Sequence, residues 1–251
     1  PSDGRPPKKI AWLQCVGSRD EEHPYCSSIC CMYATKEAIL AKQRLGEDVH
    51  CQIFMMDERA FNKEFNAYYE QAQKQYGVQY TRSRISMVRE DPTTHNLILR
   101  YVAEKGIRDQ EHPITNHQSL ITEEEFDLVV LSVGARPPKN AEDLASVLGI
   151  QLNPYGFCET DKFTPLETSK PGIYVCGTFS SPKEIAETIL DAAGAAGDVM
   201  RLLSGELGAQ AYEREYPFLW KADGLPPERN VKRRKPRVGV FVCRCYPTIA
   251  G

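Results

Sequence analysis

The stretch QCVGSRDEEHPYCSSICCMYATK, residues Gln14–Lys36, holds four of the chain's nine cysteines: Cys15, Cys26, Cys30 and Cys31. The first follows the apolar run Ile10-Ala11-Trp12-Leu13, which reads as a short strand. The last two open a stretch of helical character, Met32–Arg44. A strand, a polar loop and a helix therefore carry the thiols, at separations of eleven, four and one residues. They converge if the loop folds back over the helix start. Three chemistries compete for such a set. A disulfide framework suits small secreted domains, whereas this chain is long, rich in core-forming residues and shows no signal-peptide pattern at its start. Structural zinc normally uses two well-separated Cys-x-x-Cys pairs, which adjacent Cys30-Cys31 fits poorly. An iron–sulfur cluster demands four soft thiolates and has no single spacing rule. Thiolates also gain from free N–H groups at a helix N-terminus, where Cys26–Cys31 should fall. Cysteine can instead be a small buried apolar residue, but four in 17 residues beside Gly, Ser and charged side chains argue for ligation.

Outward from this stretch the chain reads as a βαβ unit. Lys8–Leu13 is the first strand, and the helix after the cysteines uses Ala34, Ala38, Ile39 and Ala41 as apolar positions up to about Leu45, where Gly46 can end it. Asp48–Met56 is the next strand, and the connection implies a parallel sheet. A dinucleotide-binding unit would carry G-x-G-x-x-G in its first turn. Here that turn is Cys15-Val16-Gly17-Ser18. A pyrophosphate has no obvious cradle, which disfavours a simple pyridine-nucleotide-dependent reductase.

Composition excludes other classes. Hydrophobic residues make up 41% and charged residues 26%, ordinary for a globular protein, and the net charge of −3 leaves no basic footprint for nucleic acid. The run Lys232-Arg233-Arg234-Lys235 is framed by prolines and reads as a solvated linker. No apolar stretch approaches the length of a bilayer span. Nine cysteines without a secretory signal point to a cytoplasmic, reducing setting and to metal use.

Further along, Glu58–Tyr76 reads as a helix whose aromatic stripe is core or interface packing. Val78–Arg82, Ser83–Arg89 and Leu97–Tyr101 read as strands, and Glu104–Glu124 as a polar stretch with solvent-exposed loop histidines. Phe126–Val133 reads as one uninterrupted strand buried on both faces, ending in a turn at Gly134-Ala135-Arg136-Pro137. Ala141–Leu148 is a short helix, and Gly172–Thr178 a second buried strand with Cys176 as a packing residue. A helix rich in small residues runs from near Glu184 to about Leu203, its N-terminus a possible anion site. Arg237–Val242 is a late strand ending in Cys243-Arg244-Cys245.

Several motifs now occur in one order. CVGSR at 15–19 precedes YCSSICCMYA at 25–34, then FDLVVLSVGARP at 126–137, GIYVCG at 172–177, and Pro182-Lys183-Glu184-Ile185 ahead of the Ala-rich helix. This order resembles the heterodisulfide reductase A-subunit family, flavin- and iron–sulfur-binding proteins with a core like thioredoxin reductase. The resemblance covers residues 8–205. It implies an α/β fold in which 8–130 form an inserted, nucleotide-binding-like three-layer domain with a [4Fe-4S] cluster on Cys15, Cys26, Cys30 and Cys31. Residues 131–208 would be the C-terminal part of a FAD-binding domain of the pyridine nucleotide-disulfide oxidoreductase type. Residues 1–7 and 209–236 would be linkers, and 237–251 the start of a further module.

The resemblance also implies site residues. Gly134, Gly177, Thr178, Pro182, Lys183, Ile185 and Ala186 would bind FAD, with Gly177 and Thr178 toward the ribityl–phosphate region and Ile185 and Ala186 toward the isoalloxazine ring. Thr178 stands where many such flavoproteins have Asp, although its hydroxyl can still hydrogen-bond. Lys36 is implied near flavin N5 as the catalytic cation that stabilises a reduced, anionic flavin; its plain alternative is an exposed helix charge. The family's Gly-rich FAD fingerprint is not in this sequence, so the usual FAD contacts would need another polypeptide or a further part of the protein. The implied role is electron relay, with bifurcation at the flavin, beside heterodisulfide reductase B- and C-like, hydrogenase or dehydrogenase subunits. The rival reading is an assembly module: a degenerate nucleotide-binding-like domain stapled by zinc.

Overall fold

β1 (Lys9–Val16) shares its side chains between two cores. Ile10 and Trp12 pack with Ala34, Ala38 and Ile39 of α1 (Cys30–Leu45). Ala11 and Leu13 pack on the opposite side with Phe54, Leu99, Tyr101 and Phe126. That period-2 alternation makes β1 the centre of a three-layer α/β arrangement. In this computed structural model, residues 4–60, 62–104 and 119–206 are described. β2 (His50–Met55), β3 (Gln79–Arg82) and β7 (Leu128–Val133) join β1 in a parallel sheet of order β3-β2-β1-β7. Trp12 stands opposite Ile53 on one side and Val130 on the other. α1 and α2 (Phe65–Lys74) cover one face. The antiparallel meander β4 (Ile85–Glu90), β5 (Leu97–Glu104), β6 (Ser119–Phe126) covers the other. Fully burying a side chain such as Ile53 or Phe54 contributes about 1.5–3 kcal/mol.

The structure revises four expectations. Phe126–Val133 is not one strand. Phe126 ends β6 in the meander, and Asp127 turns the chain into β7 of the parallel sheet. Its carboxylate accepts the backbone N–H groups of Lys8 and Lys9, at 2.6 and 2.9 Å, and so fixes the start of β1. β7 is also an edge strand, with Leu131 and Val133 exposed rather than buried. The polar stretch before it contains a strand: β6 pairs along its length with β5, and Arg100 faces Glu123 across the pair. Its polarity reflects a solvated face, not a loop. The helix expected over Glu58–Tyr76 is shorter, starting after Glu64 at φ 68°. Gly172–Thr178 forms no strand; Tyr174 makes one isolated bridge with Glu167, and a 3₁₀ turn follows at Gly177–Phe179. An apolar run becomes a strand only where a ladder partner continues along it, and among the described residues its pairing is limited to that one bridge. Cys176 is exposed, not packed.

α3 (Ala141–Leu148) and α4 (Ile185–Glu206) complete the described part. A third core joins Ala145 of α3 to Ile150, Cys158 and Val175. Contacts divide the chain after Gly208. The expected linker 209–236 and module 237–251, with Cys243 and Cys245, lie outside the described residues, as do Phe61, His112 and His117. His95 is exposed and bonded to Glu90.

Candidate metal centre

The parallel sheet delivers its cysteines through an irregularity. β1 and β7 keep register to Leu13–Leu131 and resume it at Val16–Val133, so Gln14 and Cys15 together oppose Ser132. Such a bulge bends a strand and re-aims a side chain. Cys15 takes φ 59°, a left-handed conformation that costs a non-glycine residue about 1–3 kcal/mol. Arg19 and Ser28 in the following loop do the same, at 57° and 64°. Three such residues within one loop persist only because the surroundings over-determine them. Ser18 Oγ donates to the Tyr25 carbonyl at 2.8 Å, and the Arg19 N–H reaches the same carbonyl at 3.1 Å. Ser27 Oγ accepts the Ala135 N–H at 2.8 Å, and Tyr25 donates to the Ala135 carbonyl at 3.0 Å. The loop is thereby tied to the chain just after β7.

α1 starts at Cys30 with Ile29 as N-cap, no side-chain cap and no acidic residue in its first turn. Its free N–H groups are unopposed, which suits anionic sulfur. The four cysteines are free; Cys30 is buried and the other three half-buried. The Ser28 N–H reaches Cys26 Sγ at 3.3 Å. Arg19 favours the thiolate of Cys15, Tyr33 and Ser27 that of Cys30, and the Arg59 backbone that of Cys31. Burial nonetheless pushes the thiols of Cys15 and Cys30 up, and that of Cys31 to about 11, and neighbouring cysteines add to the rise. Burial thus favours the protonated form of Cys15, Cys30 and Cys31, so loading a metal on these thiols must release protons.

The cluster reading can be tested against these residues. Each of Cys30 and Cys31 senses Cys15 and Cys26, so the four thiols share one neighbourhood. Yet among the described residues no three His, Cys, Asp or Glu side chains close around a single ion. Tetrahedral zinc needs all its sulfurs at about 2.3 Å from one centre, whereas a cubane cluster spreads its four thiolates around a larger body. Gln14 also has both amide atoms buried with no partner. An orphaned buried amide next to Cys15 is what a group with sulfide acceptors would satisfy.

The other expected site residues are scattered around two places. Lys36 is exposed on α1, one turn beyond the cysteines. Gly134 lies against the cysteine loop: a Cβ there would come within 2.7 Å of the Gly17 carbonyl oxygen and 2.8 Å of Ser18 Cβ. Gly177 is buried at φ 71°, and its N–H donates to Asp191 of α4 at 3.3 Å. Lys183 forms an ion pair with the same carboxylate and bonds Ser180 Oγ at 2.8 Å, so its charge is already partnered. The expected anion site at the start of α4 is taken by a carboxylate, since Glu187 accepts the Glu184 N–H at 2.8 Å. Pro182 is half-buried, while Thr178, Ile185 and Ala186 are exposed, Ile185 at 79%. Sequence reading did not single out Arg19, Tyr33, Asp57 or Arg59. The available signal was an acidic residue just past the second strand of a βαβ unit, a position of known use in dinucleotide sites.

A parallel βαβ sheet backed by an antiparallel meander, with thiols where a phosphate cradle would stand, is an α/β fold of the nucleotide-binding type. Residues 32–197 match the family model described as pyridine nucleotide-disulphide oxidoreductase. The chain belongs to this family, and its curated relatives are A-type subunits of heterodisulfide reductase. It is 41% identical over 215 residues to an iron–sulfur A-type subunit of the CoB–CoM heterodisulfide reductase of Methanopyrus kandleri, covering 84% of this chain and 31% of that protein. It is likewise 41% identical over 205 residues to the A-type subunit of the H(2)/formate:CoB-CoM heterodisulfide,ferredoxin reductase of Methanococcus maripaludis, covering 79% and 29%. The chain thus spans less than a third of the length of these relatives. Among solved structures, a thioredoxin reductase of Lactococcus lactis is similar with a TM-score of 0.49 and 19% identity, over 80% of this chain and 54% of that one. No helix among the described residues is long and apolar enough to cross a membrane.

Proposed function

We propose that this chain is an electron-relay segment of a heterodisulfide-reductase-like complex, holding a [4Fe-4S] cluster on Cys15, Cys26, Cys30 and Cys31. The observation that carries this reading is a set of four free thiols at an uncapped helix N-terminus, with the Ser28 N–H donating to Cys26 Sγ. Such donors set the potential of thiolate-held iron. When bound, the cluster supplies one-electron transfer. The chain's part is to orient the thiolates, keep them from forming disulfides and exclude water from Cys30.

The second part of the proposal is a share in a FAD site. Thr178 and the exposed start of α4, Ile185 and Ala186, present a hydroxyl beside an apolar surface. That pairing suits a flat ring with a polar tail. Gly177 and Lys183 shape this surface through Asp191 rather than by offering charge, and half-buried Pro182 precedes Lys183. Gly134 supports the cysteine loop, and Lys36 is the cation proposed to face the reduced flavin. The remaining FAD contacts would come from another part of the protein or from a partner chain. The reading includes relay between flavin and cluster, with bifurcation as its more specific form. It also includes a cytoplasmic setting and partners of the heterodisulfide reductase B and C, hydrogenase or dehydrogenase type. The relatives' names mention heterodisulfide, ferredoxin, H2 and formate.

The test is iron, acid-labile sulfide and zinc content of the anaerobically purified chain beside Cys30→Ser. About four irons and four sulfides, as a [4Fe-4S] centre on four thiolates requires, lost in the variant, are expected. Zinc without sulfide would overturn the reading in favour of an assembly module.

A further inference from the structure

Two polar side chains at the ends of β1 and β7 are buried without a partner. Both amide atoms of Gln14 and the Ser132 hydroxyl are shut off from solvent, with no hydrogen bond to any described residue and none to each other. Ser132 is 0% exposed. The two stand side by side, because Gln14 and Cys15 together oppose Ser132 at the bulge. Native interiors rarely leave such groups unpaired. Each one left so weakens the unfolding equilibrium by about 5–30-fold.

Register places them at the start of α1. Ile10 and Trp12 of β1, with Leu128 and Val130 of β7, pack on the same core as Ala34, Ala38 and Ile39 of α1. Residues two apart along a strand share a face, so Gln14 and Ser132 continue these rows toward the strand ends. Trp12 donates to Glu37 at 2.9 Å, which fixes the level of α1 against β1. Two strand residues advance about 6.6 Å. α1 runs back against β1 to reach parallel β2, and four helical residues cover about 6 Å. Gln14 and Ser132 therefore stand level with Tyr33, in the first turn of α1, which Cys30 opens. In keeping with this, the Tyr33 phenol senses both Ser132 and Cys30. Cys30 is buried and that turn has no side-chain cap. A buried thiol, an uncapped helix start and three orphaned polar atoms thus meet on one side of the sheet.

We propose that the Gln14 amide N–H and the Ser132 hydroxyl are hydrogen-bond donors to the sulfur of the group held on the four cysteines, a role that rests on the cluster reading above. In the metal-free chain the two side chains cost stability. The bound group supplies the acceptors they lack. Donors to cluster sulfur also favour the more negative, reduced state, so the pair raises the potential.

The experiment compares the full chain, purified anaerobically, with Gln14→Met, which keeps the length and loses the amide, and with Ser132→Ala. Urea unfolding is followed on the metal-free form. A redox titration with electron paramagnetic resonance is run on the loaded form, with iron and sulfide measured on every sample. Metal-free, each variant should be more stable than wild type, by about 5–30-fold in the unfolding equilibrium. Loaded, each should shift to lower potential by up to about fivefold in the oxidised-to-reduced ratio, or about 40 mV for a one-electron couple. Metal-free variants less stable than wild type would show that both groups already have partners, and that outcome overturns the proposal. Loaded variants with unchanged potential overturn it too, and leave the cluster reading intact. Should one variant fail to load, its metal-free curve and the potential of the other decide. A wild-type chain without iron and sulfide overturns the cluster reading and this proposal together.

Discussion

The cysteine loop and the α4 arm solve opposite problems. In Gln14–Lys36 most polar groups are tied within the chain: Ser18, Ser27, Tyr25 and Arg19 find partners within the loop, after β7 or after β2, while the Gln14 amide does not. Beneath it Trp12 is 2% exposed and donates to Glu37 of α1 at 2.9 Å. In α4 the polar groups are satisfied around Asp191, but Ile185, Ile189, Leu190, Met200 and Leu203 face outward. The first region carries its energetics inside the chain. The second keeps its apolar surface open, and what it gains depends on what covers it.

That contrast can be broken most directly by truncating one large side chain in each region. Trp12→Ala should cost about 3–5 kcal/mol, the range for losing a buried aromatic. Leu190→Ala should stay within about 0.5 kcal/mol in the isolated chain, as for an exposed position. Urea unfolding monitored by circular dichroism measures both, and equal losses would mean that α4 is already packed. A smaller contrast lies in the glycines. Gly134→Ala pushes a methyl onto the backbone of Gly17 and should cost about 1–3 kcal/mol. Gly197→Ala, inside α4 with nothing within 4 Å, should gain up to about 1 kcal/mol. The same unfolding curves report the sign of each.

The smallest expected effect is one of rate. Exposed Cys176 should be alkylated before Cys51 at neutral pH, since Cys51 is fully buried and its thiol is pushed up to about 11 by that burial. Only the thiolate reacts, so labelling of Cys51 should rise as pH approaches 11 and remain behind Cys176 throughout. Mass spectrometry of timed samples checks the order, and equal rates at neutral pH would show that the first core opens as readily as the arm.

Much of the first region was legible. Periodicity located β1, α1 and β2, and Gly46 ends α1 as its position suggested, at φ 104°. The spacing of the cysteines and the missing glycine fingerprint pointed to ligation in place of phosphate binding. The meander was half legible. β6 was hidden because its outward positions are Glu123 and Glu125, and the break at Asp127 was hidden because FDLVVLSV is apolar on both sides of it. Gly172–Thr178 has strand composition but no ladder. The reading of Lys183 as a cofactor contact did not show Asp191, eight residues further on, as its partner.

By itself, then, the sequence determined which atoms were available: four thiols on a strand, a loop and a helix start, and a strand–helix–strand order that dictates a parallel sheet at their base. These are local matters, decided by periodicity and side-chain chemistry within a few residues. Only the tertiary structure decided how the cysteine loop is tied to the strand ends, where the bulge turns Cys15, and why Gly134 admits no side chain. Those depend on Arg19 meeting Asp57 across 38 residues and on Ser27 meeting Ala135 across 108. Contacts at such separations exist only once the sheet has brought the ends of β1, β2 and β7 together.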